Sequence, residues 1–273
     1  FAAVDLPWIP PELRENAGEI EAAENGALPD LVTEDAIRGD LHVHTNRSDG
    51  HDRLDRMARA ARDRGHAYLA ITDHTQSLTV AQGQGPGRLK EQMAQIDAWN
   101  DRHADDGFRL LKGAEVDILK DGSLDLPDES LAALDIAVCS VHGHFDLTRR
   151  KQTERILRAM DHPACTVIGH PTGRMIQSRE PYAVDLDRLI AEAAEHGVAL
   201  EVNAQPERLD LDDSHVRAAV QAGARLAIGT DAHAVPMLDY MRFGVGQARR
   251  GWAEAKDVIN CWPLADLLAF AER

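Results

Sequence analysis

From Ile37 onward the chain alternates short apolar runs with longer stretches of helical spacing, and it does so seven times. The runs fall at 37–43, 67–71, 109–116, 135–141, 165–168, 198–202 and 225–228. Apolar runs this short, bounded by turn residues, are the signature of buried strands. Between them, Leu54–Arg64, Leu89–Asp101, Thr153–Met160, Leu186–His196 and Ser214–Ala222 carry apolar residues at helical spacing. Gly65, Gly197 and Gly223 stand where three of these helices should stop, because glycine takes the left-handed cap conformation without steric cost. Strands that alternate with helices pair in parallel through crossovers. The expected fold is therefore α/β: a closed or nearly closed (β/α)7 barrel, with an open doubly wound sheet as the weaker option.

A length of 273 residues suits one such barrel. The opening 36 residues, rich in Pro, Ala and Glu, are expected to be a linker or docking arm, with one domain over 37–273. No apolar run approaches the length of a membrane span, and there is no basic, apolar-centred leader. Cys139, Cys165 and Cys261 form no CxxC pair and are expected to be buried thiols in a reducing cytoplasm. The net charge of −16, from 46 acids against 30 bases, argues against tight nucleic-acid binding by this chain alone. It does not forbid work on a phosphodiester, since acids that hold metals are offset by them.

In such barrels the working side chains sit at the C-terminal strand ends and on the loops that follow. The first run ends in "GDLHVHTNRSDG", with His42, His44 and Asp49. Two imidazoles two residues apart share one face of an extended chain. "ITDHT" offers Asp73 and His74, "GAEVD" offers Glu115 and Asp117, and "SVHGH" offers His142 and His144. "IGHPTGR" supplies His170 and Arg174, "EVNAQ" Glu201 and Asn203, and "IGTDAH" Asp231 and His233. Six of the thirteen histidines thus fall at one predicted rim, interleaved with acids. One histidine at a strand end is ordinary as a cap or core residue. Together with carboxylates they form the donor set that borderline divalent cations select. More than five ligands exceed one tetrahedral ion, so two or three ions are expected.

In this order, "DLHVHTNRSDG", "ITDH", "GAEVDIL", "SVH", "GHPTGR" and "GTDAH" resemble the PHP (polymerase and histidinol phosphatase) family, over residues 37–252. The flanking "PWIPPELRENAGEIEAA" and "KDGSLDLPDE" resemble the C-terminal PHP domain of bacterial family X DNA polymerases. The polymerase domains that would precede it are not in this sequence, and Phe1 in place of Met is expected of a domain cut from a longer chain. The resemblance implies a distorted (β/α)7 barrel with three divalent ions at the C-terminal strand ends. Zinc or manganese is expected there, with iron(II) a further option. It implies one ion on His42, His44, Glu115 and Asp231 and a second on Glu115, His142 and His170. The third would take Asp49, His74 and His233, so all nine positions carry ligating side chains.

Ions held close together lower the pKa of a bound water and neutralise phosphate oxygens. The expected reaction is phosphoester hydrolysis without a Ser or Cys nucleophile, and no Gly-x-Ser-x-Gly elbow is present. Glu115, Asp231 and His142 are the catalytic candidates, and Arg174 is the candidate grip on a phosphate oxygen. Arg149, Arg150 and Arg208 are lesser candidates for that grip. Asp73 is expected to orient His74 or cap a helix, Asp117 to cap a turn, and His144 to lie on the surface rather than add a substrate contact. Glu201 and Asn203 are expected either to touch substrate or to hydrogen-bond in the core. The polymerase resemblance implies a 3′–5′ exonuclease acting at a DNA 3′ end, partnered by polymerase domains. The alternatives are a small-molecule phosphatase on the same metal centre and a non-catalytic, metal-stabilised scaffold. Nine filled positions weigh against the scaffold. A metal-dependent amidohydrolase also uses His-x-His on a barrel, but it expects eight strands, and no Lys lies at a matching strand end here.

Overall fold

Among the described residues seven strands, all parallel, follow one another around the molecule in sequence order. The computed structural model describes Phe1, Ala3 and residues 5–272. The strands are β1 (Gly39–Asp40), β2 (Tyr68–Ile71), β3 (Arg109–Asp117), β4 (Ile136–Ser140), β5 (Val167–Ile168), β6 (Ala199–Asn203) and β7 (Arg225–Gly229). A short α1 (Glu19–Glu24) precedes them. The crossovers carry α2 (Leu54–Asp63), α3 (Pro86–Arg102), α4 (Asp128–Leu131), α5 (Arg149–Met160), α6 (Leu186–His196) and α7 (Asp213–Ala222). After β7 come α8 (Met241–Arg250) and α9 (Leu264–Ala271). The (β/α)7 expectation holds, and the glycines expected to end helices adopt positive φ, 85° at Gly65, 67° at Gly197 and 78° at Gly223.

Strand periodicity sorts the interior into storeys, because alternate side chains face the barrel axis. Leu111, Val138, Ala199 and Ala227 share an apolar cluster with Leu41, Tyr68 and Val167, closed from below by Leu267 of α9. Two to four residues further along these strands the same face turns polar. Leu111 is followed at that spacing by Gly113 and then Glu115; Ala199 by Glu201 and Asn203; Ala227 by Gly229 and Asp231. The opposite strand faces, such as Ala114, Val116, Cys139, Leu200 and Ile228, join the layer under the helices.

β1 and β7 share no ladder, and side chains seal the seam between them. The Asn260 carboxamide accepts from Ile228 N (2.9 Å) and donates to Ile228 O (2.5 Å) and Gly39 O (3.1 Å). Asp40 accepts from Thr230 N (3.2 Å) and from the Thr230 hydroxyl. Its carboxyl is fully buried, and burial pushes it up to about 6 against those hydrogen bonds. At the rim Val43 bridges Ala232, with His44 N donating to Ala232 O at 2.9 Å. Unpaired sheet-edge groups in a dry interior are costly. Asn260→Ala orphans three of them, each worth about 1–3 kcal/mol, so urea unfolding should show a loss of about 3 kcal/mol or more. Wild-type stability in that variant would contradict this account of closure.

The first run pairs over Gly39–Asp40 rather than 37–43, because the amides beyond it are taken elsewhere. His42 N donates to Asp40 Oδ1 (3.2 Å) and Val43 N to Thr72 Oγ1 (2.8 Å). The chain therefore leaves the ladder where its ligands begin. Cys139 and Cys165 are buried, whereas Cys261 is half-buried and burial pushes its thiol up to about 11. Ahead of β1, Ile9, Leu13, Ala23 and Leu31 cluster against Trp252. Arg249 of α8 pairs with Glu12 at 2.7 Å and donates to Val32 O at 2.8 Å, pinning that segment. No helix among the described residues is long and apolar enough to cross a membrane.

Candidate metal centre

Glu115 stands on the inner face of β3, 1% exposed, and histidines from four other strand ends meet its two oxygens. Oε1 lies 3.1 Å from His142 Nε2 and 2.9 Å from His170 Nε2. Oε2 lies 2.9 Å from His74 Nδ1, 3.3 Å from His42 Nε2 and 3.5 Å from His44 Nε2. Asp231 Oδ1 approaches His44 Nε2 at 3.1 Å and His42 Nε2 at 3.8 Å. On the outer side Asp49 Oδ2 faces His74 Nε2 (3.5 Å) and His233 Nε2 (3.4 Å). The His44 ring stacks between His74 and His233, at centroid distances of 4.4 and 4.3 Å. All six rim histidines and three acids converge.

Among the described residues three groups have ligand atoms within reach of one cation: His42–His44–Asp231, His44–Asp49–His74–His233, and His74–Glu115–His142. The partition differs from the expected one in each member: Glu115 is absent from the first, His74 stands in place of His170 in the second, and His44 joins the third. His74 presents Nδ1 to Glu115 and Nε2 to Asp49, so it stands between two groups. His170 meets Glu115 Oε1 as a hydrogen-bond partner at 2.9 Å.

Whether these residues suit divalent cations is decided by their unpartnered atoms. His42 Nε2, both ring nitrogens of His44, His74 Nδ1 and His170 Nδ1 are buried without a hydrogen-bond partner. Buried polar atoms are nearly always satisfied. Here imidazole nitrogens crowd carboxylate oxygens without hydrogen-bond alignment, as they do around cations. The donor set of imidazole and carboxylate fits zinc, manganese or iron(II).

Electrostatics polarise the cluster. Burial raises the Glu115 carboxyl, but His142, His42 and His74 outweigh it and hold it well below the usual range. For His42, burial is likewise outweighed, by Glu201, Glu115 and Asp231, and its pKa stands well above the ordinary value. His44 goes the other way: burial, then the neighbouring His74 and His233, bring it down to about 4. His44 is therefore a neutral donor, the form that binds metal. Asp231 (φ 51°) and His170 (φ 27°) occupy left-handed backbone that residues with side chains seldom adopt. Such strain collects at functional sites.

A second ring of acids orients the first. Glu201 Oε1 lies 2.6 Å from His42 Nδ1, while Oε2 accepts from His170 N (2.6 Å) and Asn203 Nδ2 (3.2 Å). Of the two roles expected for Glu201 and Asn203, the core hydrogen bonds are the ones formed. Gly229 makes room for this contact: a Cβ there would lie 2.2 Å from Glu201 Oε1. Asp117 Oδ1 lies 2.6 Å from His142 Nδ1, which leaves Nε2 facing Glu115. Asp117 thus holds a histidine rather than capping a turn. Loss of such an orienting carboxylate typically costs 10–100-fold, so Asp117→Ala should lower kcat/KM by about that factor with the fold intact. Activity within twofold of wild type would show that His142 needs no support from Asp117.

Asp73 neither touches His74 nor caps a helix. Its oxygens accept from Thr45 N (2.8 Å), Thr45 Oγ1 (2.6 Å) and Ser48 Oγ (2.5 Å), and from Gln92. It therefore shapes the loop between His44 and Asp49.

Arg174 also departs from expectation. Its guanidinium donates to the carbonyls of Arg208 (2.8 Å) and Leu209 and faces Asp212 at 3.6 Å. It braces the loop that carries Arg208. Arg208 itself reaches the centre, with Nε 3.5 Å from Asp231 Oδ2 and a buried Nη1 that lacks a partner. Arg149 and Arg150 pair with Asp185 (3.2 Å) and Glu154 (2.9 Å) on the surface. His144 is exposed, as expected.

The PHP domain family matches residues 40–205. The chain belongs to the PHP family. This PHP domain is 44% identical over 273 residues to the DNA polymerase/3′-5′ exonuclease PolX of Bacillus subtilis (strain 168). The match takes in all of this chain and 47% of that protein, so the chain spans about half of the relative's length. A probable phosphatase of Thermoanaerobacter sp. (strain X514) is 31% identical over 209 residues, 71% of this chain and 78% of its own. Among solved structures, histidinol phosphate phosphatase from Lactococcus lactis subsp. lactis, in complex with zinc, L-histidinol and phosphate, shares the fold. It aligns at a TM-score of 0.55 and 16% identity, over 77% of this chain and 93% of that one. PHP membership sets the class of this chain as a metal-dependent phosphoesterase.

Proposed function

We propose that this chain hydrolyses phosphodiesters at a DNA 3′ end, as a 3′–5′ exonuclease working with three divalent ions. One observation carries the proposal: eight imidazole and carboxylate side chains, from loops far apart in sequence, gather with Glu115 in a chain that aligns over its whole length with about half of PolX. His42, His44 and Asp231 would hold one ion; His74, Glu115 and His142 a second, with His170 beside Glu115; His44, Asp49, His74 and His233 a third. When bound, such ions supply Lewis acidity and a water of lowered pKa.

The protein's own part is orientation and charge. Glu201 fixes the His42 ring and Asp117 the His142 ring, each through Nδ1, so that Nε2 of both is presented to Glu115. Asp231 lies on the wall of a cavity of about 330 Å³ together with Arg208, His233, Met237 and Tyr240. Arg208, with an unpartnered donor there, takes the role of gripping a non-bridging phosphate oxygen in place of Arg174. Arg208→Ala is expected to raise KM about tenfold, since one charge-assisted hydrogen bond is worth about 1.5–3 kcal/mol. An unchanged KM would return the assignment to another residue.

A small-molecule phosphatase is the second reading, favoured by the 31% identical probable phosphatase, of which the chain covers 78%. Turnover of 3′-labelled single-stranded DNA beside a sugar phosphate separates the two, with wild type and His142→Ala compared on both. Exonuclease function predicts rapid release of nucleotides by wild type, loss in His142→Ala, and slow turnover of the sugar ester. The reverse preference would establish the phosphatase.

A further inference from the structure

The metal mouth opens beside a cleft whose charge runs against the rest of the chain. It encloses about 580 Å³ between α2 and α3 and is lined by Arg47, Arg53, Arg59, Arg88 and Arg102. Asp55 is the one acid among its lining residues, in a chain of net charge −16. Arg47 and Arg88 are held in place: Arg47 pairs with Glu91 at 3.0 Å, and Arg88 donates to Gln82 O at 2.9 Å. Arg53 and Arg59 are exposed and make no ion pair among the described residues. Two further donors of the lining, Arg47 Nε and Trp99 Nε1, are buried without a partner.

The cleft and the metal centre share a loop. Asn46 and Arg47 line the cleft, while His44 and Asp49, on either side of them, belong to the ligand groups. Asp73 clamps that loop through Thr45 and Ser48, so the spatial relation between the two sites is fixed. Trp99 is 1% exposed and stacks on His103 at 4.0 Å, which leaves no open indole face on which a base could lie. The cleft therefore offers guanidinium charge without a stacking platform. That chemistry suits the phosphates of a strand rather than its bases.

We propose that this cleft binds the backbone of single-stranded DNA upstream of the 3′ end, without regard to sequence; the inference rests on the exonuclease reading. It accounts for nucleic-acid contact by an acidic chain, since the positive charge is local and joined to the site by one loop.

The test is fluorescence anisotropy of a 5′-labelled oligothymidylate with a cleavage-resistant 3′ linkage, bound to metal-loaded wild type, Arg53→Ala/Arg59→Ala and Arg53→Lys/Arg59→Lys. Two phosphate contacts add about 1.4 to the salt slope of log Kd on a single strand, so a fourfold rise in salt should weaken wild type about sevenfold more than the alanine pair. The lysine pair should keep the wild-type slope. Equal affinity and slope in wild type and the alanine pair would overturn the proposal, whether or not DNA is cleaved. If the slopes differ while unprotected 3′-labelled DNA stays intact, the exonuclease reading fails and the cleft stands as a DNA site.

Discussion

Glu115→Gln should lower phosphoester turnover by about a thousandfold and strip most of the bound metal with it. Both carboxylate oxygens are in use, with His142 and His170 near one and His42, His44 and His74 near the other. Glutamine keeps the volume but offers one neutral acceptor and one donor. It would offer one oxygen where Glu115 offers two, and its amide protons would face the imidazole nitrogens now gathered round the carboxylate. Lewis-acid stabilisation is worth several kcal/mol and each 1.36 kcal/mol is tenfold, so about three orders of magnitude is the expected loss. Steady-state kcat/KM and elemental analysis on the same preparation check it. Turnover within tenfold of wild type at full metal content would remove Glu115 from the centre of the account.

Stripping the ions should also cost the fold. His42 Nε2, both His44 nitrogens and His74 Nδ1 are buried without a hydrogen-bond partner among the described residues, and a cation would compensate their burial. A ligand that binds only the folded state stabilises it by about 4 kcal/mol at a thousand times its Kd. For a domain of this size each kcal/mol moves Tm by about 2–4 °C, so chelated protein should melt about 10 °C or more below the zinc- or manganese-loaded form. Coincident melts would mean that the histidine cluster is self-sufficient.

The barrel and the ligand rim could be read from the chain because both follow from local rules. Period two along β3, β6 and β7 carries an apolar interior face upward into Glu115, Glu201 and Asp231, and strand ends are where such folds work. The orienting acids were harder. Glu201 reaches His42 across 159 residues of sequence, and Asp117 reaches His142 across 25. Nothing local distinguishes an acid that holds an imidazole from one that ends a turn. The available signal was position: Asp117 lies two residues beyond Glu115, and Glu201 two beyond Ala199, each on an inward-facing strand register.

Arg174 follows His170 closely in sequence, yet the long loop before α7 brings Arg208 to Asp231 and leaves Arg174 to brace it. Loop paths of that kind depend on tertiary packing. α8 is hard to read from the chain for a related reason. Gly244 and Gly246 lower its helical propensity. Gly244 is needed for close packing, since a Cβ there would lie 2.4 Å from Ile228 Cγ2.

The central claim is that imidazoles and carboxylates gathered round Glu115 hold divalent ions that do the hydrolysis. Elemental analysis of protein purified without added metal, run beside turnover of 3′-labelled single-stranded DNA, tests it most directly. Three divalent ions per chain are predicted, leaving together with activity on chelation and returning together with manganese or zinc. Undiminished cleavage by protein shown to be free of such ions would contradict it.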